Sequence, residues 1–331
     1  MIDMLLNPYY LQIASFIVIN AVLGISIYVT MSTGQLSLGN AGFMSVGAYV
    51  SAIATMQAGL PLPISILLGA LAAGVTGFFV VIPALRLNGV YLAIATLGFG
   101  EVIRVCFNNL EITNGAMGIP AIPNLDSLVA GLVNAIGDYV GELGVRPNQL
   151  AALLTFLLLF VIVLMLVWFF VRQNHSRVGR AFAAIKADEQ AAEAMGINTT
   201  YYKILAFFQG ALISGLAGAL YAHTTSFIIP ADFSYHRAVE ILIFAVFGGS
   251  ELIWGPIFGA VFLTLLPEVL RGAENYRLMI YGMILIGMMV FRPQGIIDRY
   301  LIKRLKRLWS RGARNEDQFS RSKMVWKGEG K

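Results

Sequence analysis

The chain has 331 residues, 58% of them hydrophobic and only 12% charged, with a formal net charge of +5. A soluble domain carries roughly 25% charged residues, and a water-facing surface cannot hide this much apolar material, so the composition excludes a soluble globular protein in favour of a polytopic membrane protein. A single cysteine, Cys106, excludes an intrachain disulfide framework and a cysteine-based metal centre, and the histidines His175, His223 and His236 lack zinc-ligand spacing.

The N-terminal stretch 1–8 carries Asp3 and no Lys or Arg, so it lacks the basic start of a signal peptide and no cleaved segment is expected. A first apolar span is predicted over 9–31, followed by a shorter, glycine-interrupted one over 38–56. Between and within them runs "TGQLSLGNAGFMSVGAY" (33–49). Gly34, Gly39, Gly42 and Gly47 permit close helix packing or a break in the helix. Gln35, Ser37, Asn40 and Ser45 supply polar groups near membrane depth. This pattern fits either a transport pathway or a packing face with satisfied hydroxyls. Spans over 61–85 and 90–107 come next, and in the second of these Tyr91 and Thr96 either line the same route or simply pack. Glu101 and Arg104, three residues apart, are placed to pair on one helix face.

The segment 108–148 holds Glu111, Asp126, Asp138 and Glu142 against Arg146 and is expected to be external. A span over 149–171 then leads into a polar linker, 172–203, with Arg172, Arg177, Arg180, Lys186 and Lys203, which the positive-inside rule places in the cytoplasm. Spans over 204–222, 238–248, 256–270 and 278–291 complete the set, making about nine. The short pieces 238–248 and 256–270 fit either two crossings or a re-entrant pair, with Glu251 in the turn between them and Glu240 and Glu268 at span ends. The tail 292–331 carries more than half of the basic residues, which assigns it to the cytoplasm and to anionic lipid headgroups. With no nucleic-acid fold to carry this charge, nucleic-acid binding is not expected. The expectation is one all-α polytopic membrane domain over 9–291, with an external N-terminus and a cytoplasmic C-terminus.

The linker contains "RVGRAFAAIKADEQAAEAMGIN" (177–198), polar and alanine-rich in an apolar chain. Asp188 can cap a helix, with Glu189 in the first turn, where the helix dipole favours it. Gly196 can supply the left-handed residue that ends it. Ala191, Ala192 and Ala194 leave room for a close approach, and Glu189 and Glu193 stand one turn apart. A short helix of this kind suits docking to a partner, or equally a linker lying on the membrane surface. The sequence has no Gly-rich phosphate loop ending in Lys-Ser/Thr, no HExxH and no nucleophile triad, so catalysis and ATP hydrolysis are not expected of this chain.

The same segment resembles the cytoplasmic loop of the LivM-type permeases of branched-chain amino-acid ABC importers. The stretches 33–49, "NGVYLAIATLGFGEVIR" (88–104), "TNGAMGIP" (113–120), "QGALISGLAGALYAH" (209–223), "GGSELIWGPIFGA" (248–260) and "FRPQGI" (291–296) resemble that family in the same order. The resemblance implies that the chain binds no cofactor. It implies a LivH-type permease subunit, two ATPase subunits that hold Mg-ATP, and an external substrate-binding protein as partners. It also implies that Asp188, Glu189, Ala191, Ala192, Glu193 and Gly196 form a helix that docks on an ATPase. Asn40 departs from a histidine common in the family, and "SELI" (250–253) from its usual small residues. The implied cargo is leucine, isoleucine or valine, with urea, short amides or aromatic acids carried by relatives. The competing classes are an ion-coupled secondary transporter, using Glu101 and Glu240, and a non-transporting scaffold.

Overall fold

The computed structural model describes residues 7–87, 89–129, 147–273, 276–291 and 295–296. Asp3, Asp138, Glu142, Arg146 and nearly all of the basic tail lie outside them. The described residues are helical, apart from loops and one isolated bridge pair. The helices are α1 (Pro8–Met31), α2 (Asn40–Met56), α3 (Leu62–Ala84), α4 (Val90–Asn109), α5 (Pro147–Asn174), α6 (Arg177–Ala187), α7 (Glu189–Ala194), α8 (Thr199–Thr225), α9 (Tyr235–Gly248), α10 (Trp254–Val269) and α11 (Arg277–Phe291).

Local chemistry sets several of their ends. The Asn7 side chain accepts from the Tyr9 N–H at 3.1 Å, and Pro8 opens α1. Ser176 caps α6 and Asn198 caps α8 in the same way. All nine predicted spans are occupied by helices. Among the described residues six helices are long and apolar enough to cross a membrane, whereas α2, α9 and α11 have 17, 14 and 15 residues. At 1.5 Å per residue these three reach only about 21–26 Å, short of a hydrocarbon core of about 30 Å. The shortfall in α2 is covered by protein: every residue from 40 to 49 is buried, as are Ser37 and Gly39 just before the helix.

At the centre, α8 packs on α1, α2 and α3, while α5 and the α9–α10 pair pack on α1. Lipid tails are as apolar as leucine, so hydrophobic transfer cannot drive these helices together, and close contact between small residues must do so. A Cβ on Gly47 would lie 2.1 Å from the Gly215 carbonyl oxygen, and one on Gly218 would lie 1.9 Å from that of Met44. Large side chains point outward instead: Phe160, Val161, Met165 and Trp168 of α5 are exposed, as a lipid-facing surface requires.

Polar contacts define two ends. At one, which we call the loop end, Tyr9 donates to Glu268 at 2.7 Å and the Tyr235 N–H donates to Glu101 at 2.8 Å. There the 119–125 segment crosses the end of α8 through an Ile119–Ile228 bridge and a 2.9 Å bond from the Leu125 N–H to the His223 carbonyl. His223 is fully buried; its Nδ1 donates to the Pro123 carbonyl, which can only accept, so Nε2 accepts from the Ser51 hydroxyl, both at 2.8 Å. At the opposite, linker end lie α6, α7, the α1–α2 link 32–39 and the α9–α10 turn 249–253. The pieces left open as crossing or re-entrant run from end to end: α9 begins beside Glu101 and reaches the turn joined to Lys186, and α10 returns to Glu268 beside Tyr9. Glu101 and Arg104 pair at 2.7 Å, as their spacing predicts.

Candidate functional site

The linker folds into two short helices across the linker end. α6 is amphipathic: Ala181, Phe182 and Ile185 are buried, and Arg180, Ala183 and Lys186 are exposed. It stops at Asp188, which is extended (φ −160°) and caps α7 by accepting from the Ala191 N–H at 3.0 Å. α7 has only six residues, far below the length at which an isolated helix is stable, so its ends and anchors must hold it. Its C-terminus closes as a Schellman motif: Gly196 at φ +80° donates to the Glu193 carbonyl, and the Ile197 N–H donates to that of Ala192.

The two glutamates have partners inside the chain. Glu189 is ion-paired with Lys203, whose side chain is only 11% exposed, and Glu193 accepts from the Thr199 hydroxyl at 2.7 Å. Both partners lie in the first two turns of α8, so the carboxylates fasten α7 to a central helix. Both carboxylates still reach solvent: the Glu189 side chain is 43% exposed and Glu193 is exposed. Ala192 is buried at 4% and packs inward, whereas Ala191 is exposed and Met195 is 83% exposed. The outward surface of α7 therefore carries Ala191, Ala194 and Met195 beside the polar Gln190 and Glu193.

A second link runs from α6: the Lys186 ammonium donates to the Ser250 carbonyl at 3.3 Å, tying it to the α9–α10 turn. Between α6, the end of α5 and that turn lies an open groove of about 680 Å³, with Phe182, Leu252 and Trp254 among its lining residues. Sequence reasoning assigned Lys203 and Lys186 only to topology and passed over Met195. The signal for Met195 was a large apolar residue at a helix end in an otherwise polar segment.

The candidate pathway residues divide. Gln35, Ser37, Asn40, Ser45 and Thr96 are all at most 5% exposed. Asn40 donates to the Ser26 hydroxyl at 2.9 Å, and the Ser26 and Ser214 hydroxyls are 2.6 Å apart, so three helices meet through one polar cluster. Thr96 accepts from the Leu38 N–H at 2.9 Å, satisfying backbone exposed by the unwound 32–39 link. The Ser45 hydroxyl is buried without a hydrogen-bond partner among the described residues. Tyr91 does not join this group: it is 74% exposed on the opposite face of α4. Replacing Ser214 by alanine should cost about 1 kcal/mol, the usual scale of an interhelical hydrogen bond in a membrane protein. A small drop in the melting temperature of the purified protein would agree with this, and unfolding at ordinary temperature would not.

Residues 9–290 match the family model described as the branched-chain amino acid transport system permease component. The chain is 33% identical over 295 residues to the high-affinity branched-chain amino acid transport system permease protein LivM of Salmonella typhimurium, and 32% identical to that of Escherichia coli K12. Each alignment covers 86% of this chain and 69% of the relative. The autoinducer 2 import system permease protein LsrC of Yersinia pseudotuberculosis is 27% identical over 249 residues, covering 71% of this chain and 63% of the relative. No solved structure matches significantly.

Proposed function

The chain belongs to the family of branched-chain amino acid transport system permease components, and on that premise we propose that it is one of two permease subunits of an ATP-driven importer for leucine, isoleucine and valine in the bacterial inner membrane. Its partners in this reading are a LivH-type permease, two ATPase subunits that hold Mg-ATP, and an external binding protein. The basic residues of the linker and tail support a cytoplasmic linker end and an external loop end. Relatives named for different cargoes, branched-chain amino acids and autoinducer 2, align with most of this chain. Cargo identity is therefore argued from the higher identity to the LivM proteins.

One observation carries the reading: α7 is a capped helix that presents Ala191 and Met195 outward and is fastened to α8 through Glu189 and Glu193. A partner that pushes on Ala191 and Met195 moves Glu189 and Glu193, and with them the start of α8. The Lys186–Ser250 contact passes the same displacement to the α9–α10 turn. ATP acts only if the ATPase contacts differ between two conformations of this unit. Glu101 and Glu240, the acids an ion-coupled carrier would need, each pair with an arginine at 2.7 Å, and nothing in their geometry favours proton transfer.

Reconstitution tests this. Proteoliposomes holding both permeases and both ATPases are expected to take up labelled leucine only with ATP and the binding protein. Uptake driven by a proton or sodium gradient without ATP would refute the reading. In the same assay Lys203→Ala should reduce import several-fold while basal ATP hydrolysis persists, because α7 loses its charge-assisted tie to α8. Truncation after Arg311 should leave import largely intact, since the tail charges act as topology and lipid anchors. Complete loss with normal membrane insertion would show that the tail does more.

A further inference from the structure

At the loop end, beside the start of α9, lies a cavity of about 590 Å³. Its polar wall includes Asp232, Arg237, Glu240 and Tyr221, and its apolar wall includes Ile243, Leu263 and Pro267. Arg237 is held rather than free. It donates to Glu240 and to the Asn20 side-chain oxygen, each at 2.7 Å, and Asn20 in turn donates to Thr264 at 2.9 Å. The guanidinium also stands 6.0 Å from the centre of the Tyr221 ring, and its side chain is only 17% exposed. Residues of four helices, α1, α8, α9 and α10, thus hold one cation at the edge of an accessible cavity.

The carboxylates complete the arrangement. Asp232 accepts from the Ile229 N–H at 3.1 Å. Burial pushes its carboxyl above the ordinary value, and the Ile229 N–H and the Arg237 charge offset this only in part. An ammonium group placed there would supply the missing compensation. Asp232 and Glu240 outnumber the one arginine, so the wall offers both a fixed cation and surplus negative charge.

We propose that this cavity binds a zwitterionic α-amino acid with an aliphatic side chain: Arg237 meets the carboxylate, Asp232 and Glu240 meet the ammonium, and Ile243, Leu263 and Pro267 take the side chain. The proposal rests on the importer function above and adds a substrate station in this chain, at the end where cargo would arrive. The volume suits a small ligand with some water, and the mix of apolar wall and few fixed polar groups is that of ligand sites generally.

The test uses the complete importer in lipid nanodiscs, without its binding protein, and a diazirine analogue of leucine. Photolysis followed by peptide mass spectrometry should place adducts within 232–243 or 263–267, and excess leucine should suppress them. Isopentylamine, which lacks the carboxylate, should compete far less well. Arg237→Gln should weaken leucine binding at least about tenfold, the scale of one charge-assisted hydrogen bond, and leave isopentylamine binding unchanged or stronger, since Glu240 loses its paired cation. A purely structural role for Arg237 would weaken both ligands alike and overturn the assignment. Adducts found only elsewhere, or none, in a complex that imports leucine would overturn the site while leaving the function standing; this wild-type measurement decides the matter even if the variant does not assemble. A wild-type complex that imports no leucine, isoleucine or valine would refute both.

Discussion

Gly218→Val is expected to abolish folded protein. A Cβ at this position would sit 1.9 Å from the Met44 carbonyl oxygen and 3.0 Å from its Cα. These are backbone atoms of α2, so no rotamer can relieve the clash, and α2 and α8 must separate. Separation breaks more than one contact, because Gly47 faces Gly215 along the same α2–α8 seam, and Gly215 also packs on Ala73 of α3. In lipid, where close van der Waals contact drives helix association, parting this seam removes the main force at the centre of the bundle. Overpacking costs about 1–3 kcal/mol in cores that can adjust and more where they cannot, against a total stability of about 5–15 kcal/mol. Gly98 on α4 is the control: a Cβ there meets nothing within 4 Å. Gly98→Val should express and elute as a single species from a sizing column, while Gly218→Val aggregates. Equal behaviour would contradict the close-packed seam.

Gly196→Val is expected to uncouple transport without unfolding the chain. A Cβ on Gly196 would meet nothing within 4 Å, so space is not the issue. The issue is φ +80°, where a β-branched residue is strained by about 1–3 kcal/mol. α7 has six residues and depends on its two caps, so strain of that size is enough to unwind its last turn. The Glu193–Thr199 bond would go with it. Import by the reconstituted complex should fall by about tenfold or more, in line with about 1.4 kcal/mol per factor of ten, with ATP hydrolysis retained. Gly196→Asn should fall between, because asparagine tolerates the left-handed region. Full import by a well-expressed valine variant would show that the closure of α7 is dispensable.

The ends of α7 were legible in the sequence because capping is local: Asp188 three residues before the N–H it accepts from, and Gly196 just past the last helical turn. The partners of Glu189 and Glu193 were not, since Lys203 and Thr199 reach them only after the chain has turned from α7 into α8. Length and hydropathy located every predicted span, yet they could not assign faces. In a membrane helix both the lipid side and the protein side are apolar, so Tyr91 and Thr96 looked alike although one is exposed and the other buried. The Asn20–Arg237 bond joins α1 to α9, far apart in the chain, and no local pattern announces it.

Crosslinking from α7 to the ATPase tests the central claim most directly. Single cysteines at Ala191, Met195 and Ala192, in a Cys106→Ser background, would be probed in the assembled importer. The structure predicts crosslinks from the exposed positions 191 and 195, changing in yield between nucleotide-free and ATP-bound states, and none from buried 192. No crosslink from 191 or 195 in an intact complex, or equal reaction at 192, would mean that α7 is not the coupling element.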